Sequence, residues 1–227
     1  SITDDSDTAT VNGKTLTVGQ KKTLDGKTVR ILGFNHDTLS EPNTAYGSST
    51  ATGKAGISFE YVDFLTSTGM ENINPNSGGW KDTPLRGTLN ETIYNSLSIK
   101  SNIKKVKKDY MPTYNAATIQ QTEDYLWLLS CGEIWDNGYN GGASRGFAIT
   151  TEGKQYKYYK TNLGSTDYNT SNDITKKPST RNSIWLWLRS PDSTDCYGYA
   201  FCDVLSDGDC YSSPAGSSGG VAPGFSI

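Results

Sequence analysis

Ile184-Trp185-Leu186-Trp187-Leu188-Arg189-Ser190-Pro191 is the run on which the reading of this chain turns. Its short length, its Leu and Trp content and its closing proline predict a strand. Two tryptophans separated by one residue mark the densest packing of a core. Arg189, directly after them, is then expected to be buried, and a buried guanidinium needs a carboxylate or a set of loop carbonyls to receive its fork of donors.

Downstream of this strand the composition changes abruptly. Lys, Glu, Gln, Met and Trp are all absent after Trp187, although together they form roughly a fifth of the chain before it. These five residue types share one property of the genetic code: no codon for any of them ends in cytosine. Every residue from Asp192 to Gly219 does have such a codon. Within this stretch Phe201, Cys202, Val204, Ser206, Gly208, Ala215 and Ser218 read as framework positions. The positions between and around them show no consistent physical role: Asp195, Cys196, Tyr197, Tyr199, Asp203, Leu205, Asp207, Asp209, Cys210, Tyr211, Ser212, Ser213, Pro214, Gly216, Ser217 and Gly219. Tyr mixed with Ser and Gly is the palette of antibody paratopes, in which Tyr supplies contact area at low entropic cost and small residues adapt around it. These sixteen are the candidate ligand-binding residues, with Tyr197, Tyr199 and Tyr211 as anchors and Asp203, Asp207 and Asp209 setting charge.

Upstream, residues 1 to 20 open on an acidic, Ser/Thr-rich leader and then alternate around Asn12-Gly13, which predicts a small hairpin. Leu24-Asp25-Gly26-Lys27 is a second turn, leading into a strand over Val29 to Phe34. Gly56 to Val62 alternates as another strand. From Pro84 the period lengthens, with Leu85, Leu89, Ile93 and Leu97 four apart and Thr83 available as an N-cap, which predicts a helix. A second helix is expected with Ile99, Ile103, Val106 and Tyr110 on one face and Lys104, Lys105, Lys107 and Lys108 on a solvated one. Tyr125 to Leu129 admits a buried strand or a single helical turn. Lys154 to Lys160 reads as a short helix after Gly153.

Composition sets outer limits. A chain of 227 residues is long enough for one substantial core. Five Trp, fourteen Tyr and six Phe predict an aromatic core, and 24 Gly predict many turns. A net charge of -3 argues against nucleic acid, whose phosphates need a clustered basic face. No run of 18 apolar residues suggests a membrane segment in this sequence. The four cysteines, Cys131, Cys196, Cys202 and Cys210, form no CxxC pair, and the single histidine, His36, sits in a polar turn, so neither a zinc site nor His-based catalysis is expected. No cofactor and no enzymatic activity are expected.

Several segments together resemble one family: Asp25 to Asp37, Gly53-Lys54-Ala55-Gly56-Ile57, Leu126-Trp127-Leu128-Leu129-Ser130, Trp187-Leu188-Arg189-Ser190-Pro191 and Gly220-Val221-Ala222-Pro223-Gly224-Phe225. They look like the marks of an uncharacterised bacterial family with a WLRSP signature, some members of which are targets of diversity-generating retroelements. In such systems template adenines are mutated, so that AAC codons scatter into NNC codons, which is the codon set of the tail. The resemblance implies an α+β, C-type-lectin-like fold of the formylglycine-generating-enzyme type, with two helices, small antiparallel sheets and long loops. The chain is then divided into an N-terminal leader with its hairpin over residues 1–20 and a domain over 21–227, whose variable region the resemblance puts at about 192–219. The expected function is ligand binding by a hypervariable surface, the partner an unknown protein or cell-surface ligand, and the location extracellular, on a bacterial surface or phage particle. The alternatives are a carbohydrate-binding adhesin, with or without calcium, and a formylglycine-generating-type oxidase. The spacing of Asp203, Asp207 and Asp209 fits no calcium loop, and cysteines at randomised positions are poor catalytic nucleophiles.

Overall fold

A computed structural model describes residues 4–41, 53–72, 76–113, 118–135, 152–163, 185–192, 198–205, 208 and 210–227. The chain opens with two hairpins whose turns are local chemistry. Strands β1 (Thr8–Val11) and β2 (Lys14–Thr17) are joined by Asn12 and Gly13, both at positive φ, and β3 (Lys21–Leu24) and β4 (Lys27–Phe34) by Asp25 and Gly26, again both at positive φ. Asx-Gly is the pair that such two-residue turns favour, because their twist matches that of the flanking strands.

β4 pairs with β5 (Ile57–Tyr61), which also pairs with the last strand, β13 (Gly224–Ser226), giving a four-stranded antiparallel sheet in the order β13-β5-β4-β3. Val29, Ile31, Phe59, Tyr61 and Phe225 share one face by register. Ala9 of the first hairpin packs with Ile31, Phe34 and Ile57 in a small second core. The leader hairpin therefore lies against this sheet.

The second sheet is five-stranded, in the order β11-β10-β9-β12-β6, from β6 (Thr66–Thr68), β9 (Leu186–Pro191), β10 (Ala200–Val204), β11 (Cys210–Pro214) and β12 (Gly219–Val221). Only β9 and β12 run parallel. The WLRSP strand is central and every residue of it is buried.

Between the sheets in sequence lies one helical run. Thr83 caps it by accepting from the Arg86 amide, and Pro84 opens it. It passes through α1 (Pro84–Gly87), a π-helical segment (Thr88–Ile93) and α2 (Tyr94–Ser96). Leu97 then turns to extended backbone, and no helix lies between it and Tyr110. The second helix expected over Ile99 to Tyr110 is not formed. Val106–Tyr110 is instead strand β7, paired antiparallel with β8 (Gln120–Asp124). Val106, Lys108 and Tyr110 are buried in alternation, so Lys108 belongs to the interior, contrary to the solvated face expected for it.

A 3-10 turn (Gly79–Asp82) just before the helical run and two short helices, α3 (Cys131–Trp135) and α4 (Lys157–Leu163), complete the described elements. Leu126 to Ser130 is buried and irregular, touching the final strand through a bridge between Trp127 and Gly224. The result is an α+β protein with few helices and several small sheets. No described helix is long and apolar enough to cross a membrane.

Candidate functional site

The site rests on a buried charge network that fixes the strands beneath it. Arg189 leaves β9 with its side chain fully inside. Its Nη1 donates to Glu133 Oε2 at 2.5 Å and to the Leu128 carbonyl at 2.7 Å, its Nε to the Asp109 carbonyl at 2.8 Å, and its Nη2 to the Glu152 carbonyl at 2.8 Å. One guanidinium thus joins β7, the 126–130 segment, α3 and the 152 turn, as a planar five-donor group can and an ammonium cannot.

Glu133 passes the network on. Its second oxygen lies 2.5 Å from Lys108 Nζ, which also meets Asp37 Oδ1 at 2.8 Å and donates to Tyr156 Oη at 2.9 Å. Asp37 accepts from Ser58, Ser226 and Tyr156 as well. Burial pushes the carboxyls of Glu133 and Asp37 up, but Arg189 and Lys108 outweigh it for Glu133, and Lys108 and His36 for Asp37, so both end below the usual carboxylate range. Glu152 goes the other way: burial raises it to about 7, with Arg189 opposing. His36 stacks on Tyr156 with ring centroids 4.0 Å apart, and burial lowers its pKa.

Over this base lie β10 and its edge neighbour β11. β10 is buried throughout, between β9 on one side and β11 on the other. β11 is the sheet edge, and there exposure returns: Tyr211 and Pro214 are exposed, and Ser212 and Ser213 half-buried. Tyr199, 48% exposed, precedes β10, and its carbonyl accepts from the Ala215 amide at 2.8 Å, which brings it beside the end of β11. Tyr199 and Tyr211 are two of only three large apolar side chains exposed among the described residues.

The remaining candidates fall in three groups. Leu205, half-buried, follows β10 at the Cys210 end of the edge, whereas Gly216, exposed, and Ser217, half-buried, follow β11 at the Pro214 end. Asp203, Cys210 and Gly219 are buried. A Cβ on Gly219 would stand 2.1 Å from the Trp185 ring, so this position lies under an aromatic lid. Asp195, Cys196, Tyr197, Asp207 and Asp209 lie outside the described residues.

The cysteines hold an arrangement that spacing could not reveal. Register puts Cys202 and Cys210 on the same face as diagonal neighbours, and the Cys131 amide donates to Ser190 Oγ at 3.0 Å. Hydrogen bonds with the Cys202 and Cys210 thiols, and with Ser190, pull the Cys131 thiol well below its ordinary range despite burial, and contact with Cys131 pushes the other two up. All three are unbridged and buried, so none presents a sulfur to solvent. Among the described residues no group of three or more His, Cys, Asp or Glu side chains is placed to hold a metal ion.

Residues 53–227 match a domain of unknown function, DUF6273. The chain belongs to that family. The match begins just before β5 and takes in the whole five-stranded sheet with its WLRSP strand and edge. Membership fixes kinship without assigning an activity. No curated protein and no solved structure significantly matches the chain.

Proposed function

We propose that the rim formed by Tyr199, Leu205, β11 and the turn to Ser217 is a ligand-binding surface diversified by a retroelement. It would recognise a protein or cell-surface target, from a C-type-lectin-like domain displayed on a bacterium or phage. One observation carries the reading. The stretch whose residues all have a codon ending in cytosine includes, among the described residues, the edge strand β11 with its exposed Tyr211 and, beside the end of that strand, exposed Tyr199, whereas β10 and β9 behind it are buried.

The energetic logic is that of a rigid paratope. β10 is clamped by β9, and β9 by Arg189, so the backbone under the rim is ordered before a ligand arrives and little further entropy is lost on binding. Exposed Tyr then supplies area, and Ser, Gly and Pro set the relief.

The deciding experiment is genomic. A reverse-transcriptase gene and a near-copy of the last hundred or so bases of this gene, differing at adenines, are expected beside it. A complete flanking sequence with neither would overturn diversification. Display of a library randomised at 205, 211–214 and 216–217 should then yield folded binders to several unrelated targets.

A further inference from the structure

Cys131, Cys202 and Cys210 meet against the second sheet, although they come from separate parts of the chain. Strand β9 is what gathers the first two. The Cys131 amide donates to Ser190 Oγ at 3.0 Å, which pins the start of α3 to the end of β9. Cys202 Sγ donates to the carbonyl of the next residue, Pro191, at 3.8 Å. Both cysteines are thus anchored on consecutive residues of one strand, and their thiols hydrogen-bond to each other. Neither is more than 3% exposed.

Cys210 joins the cluster from β11 but is the poorer partner for either. It pairs by register with Val204, and Cys202 pairs with Ser212, so the two cysteines stand diagonally across β10 and β11. Diagonal neighbours in an antiparallel pair are about 7–8 Å apart, with their Cβ atoms somewhat closer, whereas a disulfide needs Cβ atoms within about 3.5–4.5 Å. From Cys131 the difference is one of strand spacing. Its anchor is on β9, directly beside β10, and β11 is one strand further off, at about 4.8 Å per strand. Cys202 is the neighbour within a disulfide's reach.

We propose that Cys131 and Cys202 form a disulfide when the chain folds under oxidising conditions, locking α3 to β10 and leaving Cys210 a thiol. The oxidant is a small disulfide such as oxidised glutathione. One cysteine thiolate attacks it, makes a mixed disulfide and expels a glutathione thiolate. The other cysteine thiolate attacks the protein sulfur of that mixed disulfide and expels the second glutathione. Two protein thiols give up two electrons, and their two protons end on two reduced glutathiones. Because the folded cluster is buried, exchange belongs to the folding chain, and the finished bridge is shielded from reductant. Its formation does not depend on whether the tyrosine rim binds a ligand.

The test is to refold the full chain from reduced, denatured protein in a glutathione redox buffer, alkylate the remaining thiols in denaturant and map the peptides by mass spectrometry. A linked peptide pair joining Cys131 to Cys202 is expected, with Cys210 not linked to either. Because the bridge closes a long segment, it should raise the melting temperature by about 5–10 °C over the same chain refolded with reductant. Cys210→Ala should keep both the linked pair and the shift, and Cys202→Ala should lose both. Alkylation of both Cys131 and Cys202, or linkage of Cys131 to Cys210 or Cys196 instead, would overturn the proposal, as would a bridge that leaves the melting temperature unchanged. The maps of the unaltered chain and of Cys210→Ala decide the matter even if Cys202→Ala fails to fold.

Discussion

Arg189 Nη1 lies 2.5 Å from Glu133 Oε2, and neither side chain is more than 2% exposed. A pair so placed contributes little net stability over a well-packed apolar replacement, but removing one partner leaves a buried charge uncompensated. Because Arg189 also holds three carbonyls, Lys at this position cannot restore the network. Arg189→Met, which removes the charge altogether, should lose about 3–5 kcal/mol in urea denaturation. A loss below about 1 kcal/mol would mean that the network is dispensable to the fold.

Stability should depend on pH through two opposing groups. Glu133 and Asp37 titrate below their ordinary values when folded, so their contribution is complete above about pH 4–5 and is lost as pH falls further. Glu152 is raised from 4.5 to about 7, so the folded state holds its proton more tightly, and stability is lost as pH rises through that window. The optimum should therefore lie near pH 5, with a decline of about 2–3 kcal/mol by pH 8. Glu71, also raised to about 7 by burial and Asp82, adds a smaller slope of the same sign. Glu152→Gln should flatten most of the decline in urea midpoints measured at pH 5 and pH 8. An unchanged slope would assign it to other groups.

What could be read from sequence was what is decided locally. Asn12-Gly13 and Asp25-Gly26 declare their turns because a positive φ is a property of those residues alone. Thr83-Pro84 declares a helix start just as locally, through a capping hydroxyl and a proline whose fixed φ suits the first turn. Arg189 was legible as buried because a charge beside two core tryptophans has nowhere else to go. Val106 to Tyr110 misled because Ile99, Ile103, Val106 and Tyr110 match a helical spacing. The segment instead pairs with β8, and Asp37 and Glu133, carboxylates distant in sequence, receive Lys108 inside. The burial of Asp203 and Cys210 was likewise hidden, since it follows from β10 lying between two other strands. An apolar cleft floored by Phe59 and Phe225 left no sequence signal, because its lining is gathered from six separated segments.

Gly219 and Gly220 should resist substitution. A Cβ would stand 2.1 Å from the Trp185 ring at the first and 2.4 Å from the Phe64 ring at the second, and both rings pack against the core. Gly219→Ala should cost about 1–3 kcal/mol by overpacking, read as a lowered melting temperature. Side chains at 219 should accordingly be depleted among folded members of a randomised library. A neutral Gly219→Ala would show that Trp185 swings aside, and would return the position to the variable rim.

Tyr211 and Phe201 test whether the edge strand divides recognition from folding. Tyr211 is 37% exposed and Phe201 not at all, although they lie on neighbouring paired strands. Phe201→Ala removes a ring from the core and should cost about 3–5 kcal/mol. Tyr211→Ala removes one that faces water and should cost under about 1 kcal/mol, as should Tyr199→Ala. Against a target selected by display, the order should reverse: either tyrosine variant should weaken binding by roughly 10-fold or more, as truncation of an aromatic anchor does. A Tyr211→Ala variant that melts like Phe201→Ala would make Tyr211 a core residue. The surface would then have to be sought on the other side of the sheet edge.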